Sequence, residues 1–582
     1  MDTQIKINFI SYQNGYGLSK DMKLLDTKLK LLFNKDYQLD IKYCDYYDHT
    51  IRNCDINIFF ETISNIQLKK AKYNILIPNQ EWFYQSWIDY LSNIDLILCK
   101  TQYATDIFKR YHKNVIYISW ESEDLYNDKI EKDYNKIIHI CGKSTLKQTD
   151  RILDLWKDKY PELLVIYKPN KIDYQEKYKN KTNIRFINKK VDNDEFIKLI
   201  NKYGIHICCS ETEGYGHYIQ ESKGCKNIVI STNGGSMKEL ITNTNFLVDV
   251  SKKEKIKDVL DYKYIIDEKS FDIKLNNILN LSNIEKQKIG ENNRNDYLIS
   301  QQNFSDNLKN IMCNIFIKFS NDKITINNIK ERVIDNDNLP KISIVTITYN
   351  RPQFIKLLLL NFYQTNYPKD KIEWIIIDDS DTDILKDKIP KNDNRIHYYY
   401  YETRLKIGNK RNRGVEKSNY DYILFMDDDD YYPPESFKVR IENLLKYNKQ
   451  CLFCSSIGCF HINKYISIMN VPPHKLPFHQ RVSEATLTFH KDFWRETQFK
   501  EDSNGAEGEE FIKNRYHQCL EIEPEKIIVS LLHNKNTSHK DLVIDKPNGC
   551  HFGFSDKLFN FITNLDNSEK NRDYNNKKFI GY

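Results

Sequence analysis

The chain has 582 residues, more than a single hydrophobic core ordinarily accommodates, so we expect roughly two to four domains. Its 87 basic and 81 acidic residues leave a net charge of +6 without a long basic run, which argues against a dedicated nucleic-acid-binding protein. No signal-peptide pattern and no apolar stretch of roughly 18 residues is present, so we expect a cytoplasmic protein without a transmembrane segment, whose 13 cysteines are reduced thiols.

The first 130 residues alternate between strand and helix patterns. An apolar strand at 5–10 runs into a turn that contains Gly15 and Gly17, and a helical pattern follows at 22–32. Glycines there let the backbone approach a phosphate or an acceptor at the helix N-terminus, although a plain tight turn would also use them. Further strands are predicted at 56–60, 73–77, 95–98 and 115–118. The alternation predicts a parallel sheet in a Rossmann-like half.

A second alternation of strands and helices occupies residues 131–320. Its first strand leads to a turn that bears Lys143 and Lys147. A later strand ends shortly before Glu213, and a glycine-rich turn then opens a helix that bears Glu221. Carboxylates, lysines and glycine amides at one crevice supply what a nucleoside diphosphate needs: a ribose acceptor, positive charge and close N–H groups.

Two less regular segments follow. Residues 251–319 have helical periodicity and are predicted to pack as terminal helices on the first module. Residues 321–340 are rich in Asn and Asp and are predicted to be a linker. The last module then covers residues 341–545, and residues 546–582 form a carboxyl-terminal extension without a recognisable pattern.

The last module again begins with a strand, a turn and an amphipathic helix. Buried strands are predicted at 342–347, 372–377 and 395–401. Polar residues follow these strands or open the next helix, and they are Thr348, Asn350, Asp378, Asp379, Lys410 and Arg411. Acidic strand ends beside a basic turn are typical of a nucleotide-sugar site, where a carboxylate contacts the base and cations neutralise the diphosphate.

The most informative stretch is residues 420–434, where an apolar strand runs into four consecutive aspartates, Asp427 to Asp430. Two prolines, at 433 and 434, then prevent the strand from continuing. The carboxyl end of a strand in an open α/β sheet is the edge that binds ligands. Four adjacent negative charges are best tolerated beside a divalent cation, so we interpret the stretch as a metal site; the alternative is a solvated acidic turn.

The segment around Glu213 resembles the carboxyl half of GT-B-fold glycosyltransferases of the family 4 type, in which two glutamates are separated by seven residues. By this resemblance Glu221 would hold the ribose, Lys143 and Lys147 the diphosphate, and Glu213 would lie near the sugar. The glycines of the first turn would match the acceptor loop. Lys143 replaces the usual arginine, so a GT-B-shaped binding or scaffolding module is the alternative.

Residues 341–536 resemble family 2 glycosyltransferases with the GT-A fold. The resemblance implies nucleoside contacts from Thr348, Asn350, Asp378 and Asp379 and a basic turn formed by Lys410 and Arg411. The aspartate stretch matches the Asp-x-Asp motif of the family. Asp429 would be the principal metal ligand, Asp427 a second ligand and the sugar or ribose contact, Asp428 a donor contact, and Asp430 the extra carboxylate.

The position of the catalytic base is less regular in this chain. The family carries a Glu-Asp pair at a helix start some distance after the metal motif, and here Gly508 falls where the aspartate would be. The base would then be Glu507, or a shifted Glu509 or Glu510, with Glu507 favoured. His533 could complete the metal shell, as a histidine does in some GT-A enzymes, or could be a surface histidine.

Together the two resemblances imply an α/β protein with a GT-B-like double Rossmann module followed by a GT-A domain. The expected function is a bifunctional glycosyltransferase that moves sugars from nucleotide-sugar donors to a glycan, protein or lipid acceptor. The GT-A site would invert and require Mn²⁺ or Mg²⁺, whereas the GT-B site would retain and need no metal. The alternatives are a single active GT-A transferase with a non-catalytic GT-B module, and a sugar nucleotidyltransferase.

Overall fold

The structure is a computed structural model that describes residues 3–12, 17–48, 50–168, 172–189, 191–325, 336–383, 385–473, 475–533, 536 and 552–565. The chain divides into two compact units, Met1–Asn328 and Ile329–Tyr582. The first unit contains two parallel sheets, as the alternating strand and helix patterns predict, and the second contains a mixed sheet of parallel and antiparallel strands.

The first unit begins with a six-stranded parallel sheet in the order β2-β1-β3-β4-β5-β6. Its strands are β1 (Thr3–Ser11), β2 (Tyr37–Asp45), β3 (Cys54–Phe60), β4 (Ala71–Ile77), β5 (Leu96–Cys99) and β6 (Val115–Tyr117). Every residue of β3 is buried, which explains its nearly continuous apolar sequence. The edge strand β2 is mostly half-buried, and it adds a strand to those predicted for this half.

A second six-stranded parallel sheet follows, in the order β12-β11-β10-β7-β8-β9. Its strands are β7 (Asp133–Gly142), β8 (Leu163–Tyr167), β9 (Ile184–Ile187), β10 (Tyr203–Cys208), β11 (Ile228–Thr232) and β12 (Leu247–Val248). β7 leads to the turn that bears Lys143, and β10 ends shortly before Glu213, as predicted. Two Rossmann-like sheets in one unit correspond to the predicted GT-B-like architecture.

The prediction of helix from residue 251 onward is wrong for its first part. Residues Val250–Lys255 form β13, and Tyr262–Ile266 form β14, which pair as an antiparallel hairpin. Lysines fill the exposed positions of β13, while the aromatic and β-branched residues of β14 favour a strand. Helix begins only afterwards, at Glu268.

Helices connect the strands of the first unit and cover its sheets. They are α1 (Gly17–Phe33), α2 (Asn65–Leu68), α3 (Gln102–Phe108), α4 (Thr149–Leu155), α5 (Tyr174–Lys177), α6 (Asn193–Lys202), α7 (His217–Gly224), α8 (Glu268–Leu279) and α9 (Asn283–Thr325). Buried residues of α9, such as Phe304 and Phe316, join the core that the two sheets share. Among the described residues, no helix is both long and apolar enough to cross a membrane.

The second unit is built on a seven-stranded mixed sheet in the order β17-β16-β15-β18-β22-β19-β23. Its strands are β15 (Ile342–Thr348), β16 (Ile372–Asp378), β17 (Ile396–Tyr400), β18 (Tyr422–Phe425), β19 (Cys451–Cys454), β22 (Thr488–His490) and β23 (Cys519–Ile522). Strand β22 runs antiparallel to both of its neighbours. A smaller sheet, β21-β20-β24, contains β20 (Ile457–His461), β21 (Ile466–Asn470) and β24 (Val529–Leu532).

The helices of the second unit are α10 (Ile355–Gln364), α11 (Ile407–Lys417), α12 (Ser436–Lys446), α13 (Lys491–Glu496), α14 (Glu507–Ile512) and α15 (Asp556–Thr563). The strand register decides where the polar groups lie. Thr348 pairs with Asp378 across β15 and β16, and β18 lies parallel to β15 on the other side. The acidic ends of β16 and β18 therefore meet at one edge of the sheet.

Candidate active sites

The second unit contains a cavity of about 800 Å³ at this carboxyl edge, a volume typical of sites for small molecules and cofactors. The predicted site residues that line it are Thr348, Asn350, Lys410, Arg411, Asp427, Asp428, Asp429 and Glu507. Further charged residues of its wall, which the sequence motifs did not indicate, are Arg351, Arg404, Arg481 and Glu484. The cavity thus combines carboxylates and cations contributed by distant parts of the chain.

The aspartate stretch turns out of β18 and is held by donors on neighbouring elements. Asp428 accepts a hydrogen bond from Thr348 Oγ1 at 2.7 Å and one from Arg351 Nη1 at 2.6 Å. Asp430 Oδ1 accepts from the backbone N–H of Leu531 at 3.1 Å, which fixes the turn against β24. Burial raises the pKa of Asp428 to about 6, although the charge of Arg351 opposes this.

Asp429 is the most highly connected carboxylate of the cluster. Its Oδ2 lies 2.8 Å from Arg351 Nη1, 3.1 Å from His533 Nε2 and 3.3 Å from Asn536 Nδ2. Burial would raise the pKa of Asp429, but the hydrogen bond from His533 and the charge of Arg351 outweigh it and lower that pKa. The buried His533 ring also packs against Phe354, with 4.6 Å between centroids. The structure therefore places the His533 ring beside Asp429.

The donor set suits a divalent cation bound together with a diphosphate. Asp427 and Asp429 supply carboxylates, which Mg²⁺ and Mn²⁺ prefer, and His533 supplies an imidazole nitrogen. Within the described residues, no three His, Cys, Asp or Glu side chains form a ready-made metal cluster. One or two carboxylates are enough when substrate phosphates complete the coordination shell. The residues fit the cation that the resemblance implies.

Two basic side chains of α11 reach opposite sides of the cavity. Arg411 is buried, with its Nε 2.9 Å from Glu507 Oε1 and its Nη1 3.0 Å from Asp427 Oδ1. These carboxylates raise the pKa of Arg411 despite its burial. Lys410 Nζ lies 2.8 Å from Asp379 Oδ1 and 3.2 Å from the carbonyl oxygen of Thr348. Arg411 thereby connects the start of α14 to the aspartate stretch.

The two aspartates at the end of β16, Asp378 and Asp379, have different hydrogen-bond partners. Asp378 accepts hydrogen bonds from Ser380 and from Tyr398, so it organises the turn and does not line the cavity. Asp379 is also absent from the cavity lining, but it accepts hydrogen bonds from Arg404 at 2.9 Å and from Lys410, and both of these cations line the cavity.

The turn after β15 faces the same side of the cavity. Asn350, at a φ of +52°, donates to Asp381 Oδ2 at 2.7 Å. The guanidinium of Arg404 lies 3.2 Å from the centroid of the Tyr349 ring. These two planar groups provide a stacking surface beside the basic turn, next to the carboxylates that the resemblance assigns to the nucleoside.

The three candidate glutamates of α14 lie in different surroundings. Glu507 is buried and faces Arg411. Glu509 accepts a hydrogen bond from Gln480 at 2.8 Å, and the exposed Glu510 pairs with Lys513. Of the three, Glu507 lines the cavity.

Gly508, which the resemblance aligns with a catalytic aspartate, has no room for a side chain. A Cβ atom there would lie 2.8 Å from Val482 Cγ1 and 3.1 Å from Glu484 Oε1. The carboxyl group of Glu484 therefore lies next to Gly508, where the helix itself has no side chain.

In the first unit, both predicted glutamates are paired with lysines. Glu213 accepts from Lys147 Nζ and, at 2.6 Å, from Ser210 Oγ. The buried Glu221 accepts from Lys20 of α1, so the two Rossmann-like halves meet at this carboxylate.

The other residues predicted for this unit are exposed or are not among the described residues. Lys143 is exposed on the turn after β7, and Gly17 begins α1 at a position where an added Cβ atom would meet no atom within 4 Å. Gly15 lies outside the described residues.

A buried polar cluster, which the motifs did not indicate, lies close to Glu221. Asp21 of α1 accepts from Lys100, from Trp120 Nε1 at 2.7 Å and from His217 Nε2 at 2.9 Å. The charges of Lys100 and His217 outweigh burial and lower the pKa of Asp21. His217 begins α7, the helix that carries Glu221, so the cluster ties the two halves of the unit together.

The comparisons with known proteins agree with this division of the chain. Residues 128–277 match the sequence model of the family described as Glycosyl transferases group 1. Residues 343–496 match that of Glycosyl transferase family 2. The second match begins at β15, ends at α13 and includes the aspartate stretch.

Individual relatives are similar over shorter segments. An uncharacterized glycosyltransferase of Haemophilus influenzae is 32% identical over 113 residues, which are 19% of this chain and 44% of that protein. Poly(ribitol-phosphate) beta-N-acetylglucosaminyltransferase TarS of Staphylococcus aureus is 28% identical over 101 residues, 17% of this chain and 18% of that protein. The chain thus spans less than half the length of these curated relatives.

Among solved structures, mannosyltransferase PcManGT from Pyrobaculum calidifontis, in complex with GDP-Man and Mn²⁺, matches with a TM-score of 0.29 and 15% identity. The match covers 38% of this chain and 65% of that one. The two family matches fall on the two units whose folds are described above. The chain therefore carries two glycosyltransferase domains, a GT-B-like domain of the group 1 family in its first unit and a GT-A domain of family 2 in its second.

Proposed function

We propose that the protein is a bifunctional glycosyltransferase whose principal catalytic site is the cavity of the second unit. The observation that carries this proposal is the convergence of Asp427, Asp429, Arg411, Lys410 and Glu507 on one cavity at the carboxyl edge of the sheet. This arrangement brings together metal-binding carboxylates, cations that neutralise a diphosphate, and a cavity wall with further carboxylates that can accept a proton.

A nucleotide sugar is the donor in this proposal. Its base and ribose contact the turns after β15 and β16, near Asn350 and Asp379, and stack on the surface formed by Tyr349 and Arg404. Asp427 and Asp429, with His533, would hold a divalent cation, which would supply positive charge to the departing diphosphate. Mn²⁺ and Mg²⁺ both suit these ligands.

The transfer itself is a single displacement at the anomeric carbon. The oxygen of an acceptor hydroxyl forms a bond to that carbon while the bond from the carbon to the diphosphate oxygen breaks. The electron pair leaves on the nucleoside diphosphate, and the hydroxyl proton passes to a carboxylate of the cavity wall. Attack opposite the leaving group inverts the configuration. The acceptor belongs to the class of glycans, proteins or lipids that carry a free hydroxyl.

The first unit supplies a second site in the same proposal. Glu221, Lys143 and Lys147 would bind the ribose and diphosphate, and Glu213 would face the sugar, with retention of configuration and no metal. A specific observation also favours a non-catalytic binding module as the second candidate. Glu213 and Glu221 are each already paired with a lysine of the same unit, so a donor must compete with Lys147 and Lys20 for them.

The test is nucleoside diphosphate release from UDP-glucose, UDP-N-acetylglucosamine, GDP-mannose and dTDP-rhamnose, with and without Mn²⁺. The variants are Asp429→Asn and Glu221→Gln, with the exposed Asp370→Asn as a matched control. Metal-dependent release that is lost in Asp429→Asn and kept in Asp370→Asn is the expected result for the second unit.

The first unit is judged from the same experiment. A second, metal-independent activity that is lost in Glu221→Gln would support the bifunctional proposal, whereas its absence would favour the binding module. No release of nucleoside diphosphate from any donor would overturn the proposed function. Formation of pyrophosphate from a nucleoside triphosphate and a sugar 1-phosphate, measured in a separate assay, would then identify a sugar nucleotidyltransferase instead.

A further inference from the structure

The carboxylates that line the cavity of the second unit differ in whether they form an ion pair with an arginine side chain. Four of them lie within 3.0 Å of an arginine nitrogen, namely Asp427, Asp428, Asp429 and Glu507. Glu484, on the short 3₁₀ turn Glu484–Thr486, forms no ion pair with any residue that the structure describes. A carboxylate that a guanidinium holds is a weak proton acceptor, because protonation would break its ion pair.

The position of Glu484 is defined by the helix opposite it. Its Oε1 accepts a hydrogen bond from the backbone N–H of Gly508 at 3.2 Å. Its Oε1 and Cγ lie 3.1 and 3.2 Å from where a Cβ of residue 508 would be. The absence of a side chain at Gly508 therefore leaves the space that the Glu484 carboxyl fills, between the start of α14 and the cavity.

The surroundings of Glu484 also suit proton transfer near neutral pH. Burial and the negative charge of Glu507 raise the pKa of Glu484 to about 7, against the positive charge of Arg411 and two backbone N–H groups. A general base is most effective when its pKa lies near the working pH. Glu507, by contrast, lies 2.9 Å from the Arg411 guanidinium.

We propose that Glu484 is the catalytic base of this site and that Glu507 is a positioning residue for Arg411. This inference rests on the glycosyl transfer proposed above. The acceptor oxygen bonds to the anomeric carbon, the bond to the diphosphate breaks, and the hydroxyl proton passes to a carboxylate oxygen of Glu484. The nucleoside diphosphate leaves with the electron pair, so Glu484 ends protonated and releases its proton to solvent before the next turnover.

The experiment compares wild type, Glu484→Gln and Glu507→Gln with Glu525→Gln, an exposed glutamate outside the cavity, as the matched control. The donor is the nucleotide sugar with the fastest release in the panel above, water is the acceptor, and Mn²⁺ is present. Binding of the corresponding nucleoside diphosphate with Mn²⁺ is measured by calorimetry, and folding by the thermal transition. Glutamine keeps the shape of Glu484 and can still accept from the Gly508 N–H.

We expect Glu484→Gln to lower kcat by about 100-fold or more while nucleoside diphosphate affinity stays within about threefold of wild type. The wild-type rate should rise with pH up to about pH 7, and this dependence should vanish in Glu484→Gln. Glu507→Gln should instead weaken nucleotide binding, because it releases Arg411. Glu525→Gln should behave as wild type.

Two results would overturn the assignment while leaving the proposed function intact. One is release by Glu484→Gln within threefold of wild type, and the other is a loss of rate matched by an equal loss of nucleotide affinity. A wild-type protein that releases no nucleoside diphosphate from any donor would overturn the proposed function and this inference together.

Discussion

The guanidinium of Arg351 donates to Asp429 Oδ2 at 2.8 Å and to Asp428 Oδ1 at 2.6 Å. Arg351 therefore compensates two buried carboxylates of the stretch that we assign to a divalent cation. A bound cation and Arg351 would share the charge of Asp429, so the arginine stabilises the site before metal and nucleotide arrive.

The first prediction follows from this shared charge. Arg351→Met should destabilise the second unit by about 3–5 kcal/mol in a chelating buffer, because it leaves Asp428 and Asp429 buried without a cation. Mn²⁺ should raise the Tm of the variant more than that of wild type, since the metal replaces part of the lost charge. Thermal unfolding with EDTA or Mn²⁺ checks this. The exposed Arg413→Met is the control, and an equal Mn²⁺ response in all three proteins would contradict the prediction.

A second prediction concerns the buried bridge through Arg411. Arg411→Met should lower the free energy of unfolding by about 3–5 kcal/mol, because Glu507 then carries an uncompensated buried charge. The double variant with Glu507→Gln should cost less than the sum of the two single changes. Denaturant unfolding of the four proteins gives this coupling, and strict additivity would show that the ion pair contributes nothing.

A third prediction concerns the close approach of the 3₁₀ turn to α14. Gly508→Ala should lower stability by about 1–3 kcal/mol, because its Cβ would meet Val482 Cγ1 at 2.8 Å and Glu484 Oε1 at 3.1 Å. Gly505→Ala is the matched control, since no atom lies within 4 Å of a Cβ there. Thermal unfolding compares the two variants. Equal Tm values would contradict the prediction, because they would mean that the Glu484–Thr486 turn moves to admit the Cβ without loss of stability.

A fourth prediction concerns the buried Asp21 of the first unit. Asp21→Asn should cost about 3 kcal/mol at pH 7, because it leaves Lys100 buried without its partner. The folded-state pKa of Asp21 is depressed, so its contribution is complete above the unfolded value of about 3.9 and is lost as pH falls toward the folded value.

The difference in stability between wild type and Asp21→Asn should therefore narrow below about pH 4. Denaturant unfolding from pH 3 to pH 7 measures it, with the exposed Asp36→Asn as control. A difference that persists unchanged at pH 3 would contradict the assigned ion pair.

Much of the fold follows from local sequence. The apolar runs that become β1, β8, β15 and β16 predict buried strands, and their alternation with helices predicts parallel sheets. Residues 250–266 do not have a clear strand pattern, because lysines on the exposed face of the hairpin interrupt the apolar and polar alternation that marks a strand. The edge strand β2 was not predicted, although its apolar and polar residues alternate as in a strand.

By itself, the sequence determined that a strand ends in Asp427 to Asp430, since an apolar run, four carboxylates and two prolines are adjacent in the chain. Only the tertiary structure decided which groups face these carboxylates. His533 meets Asp429 across 104 positions, and Glu484 meets Gly508 across 24. Strands and helices can be predicted from residue patterns, because they depend on neighbours along the chain. These contacts depend instead on the order of the strands and on packing, which bring side chains that are distant in sequence to one edge of the sheet.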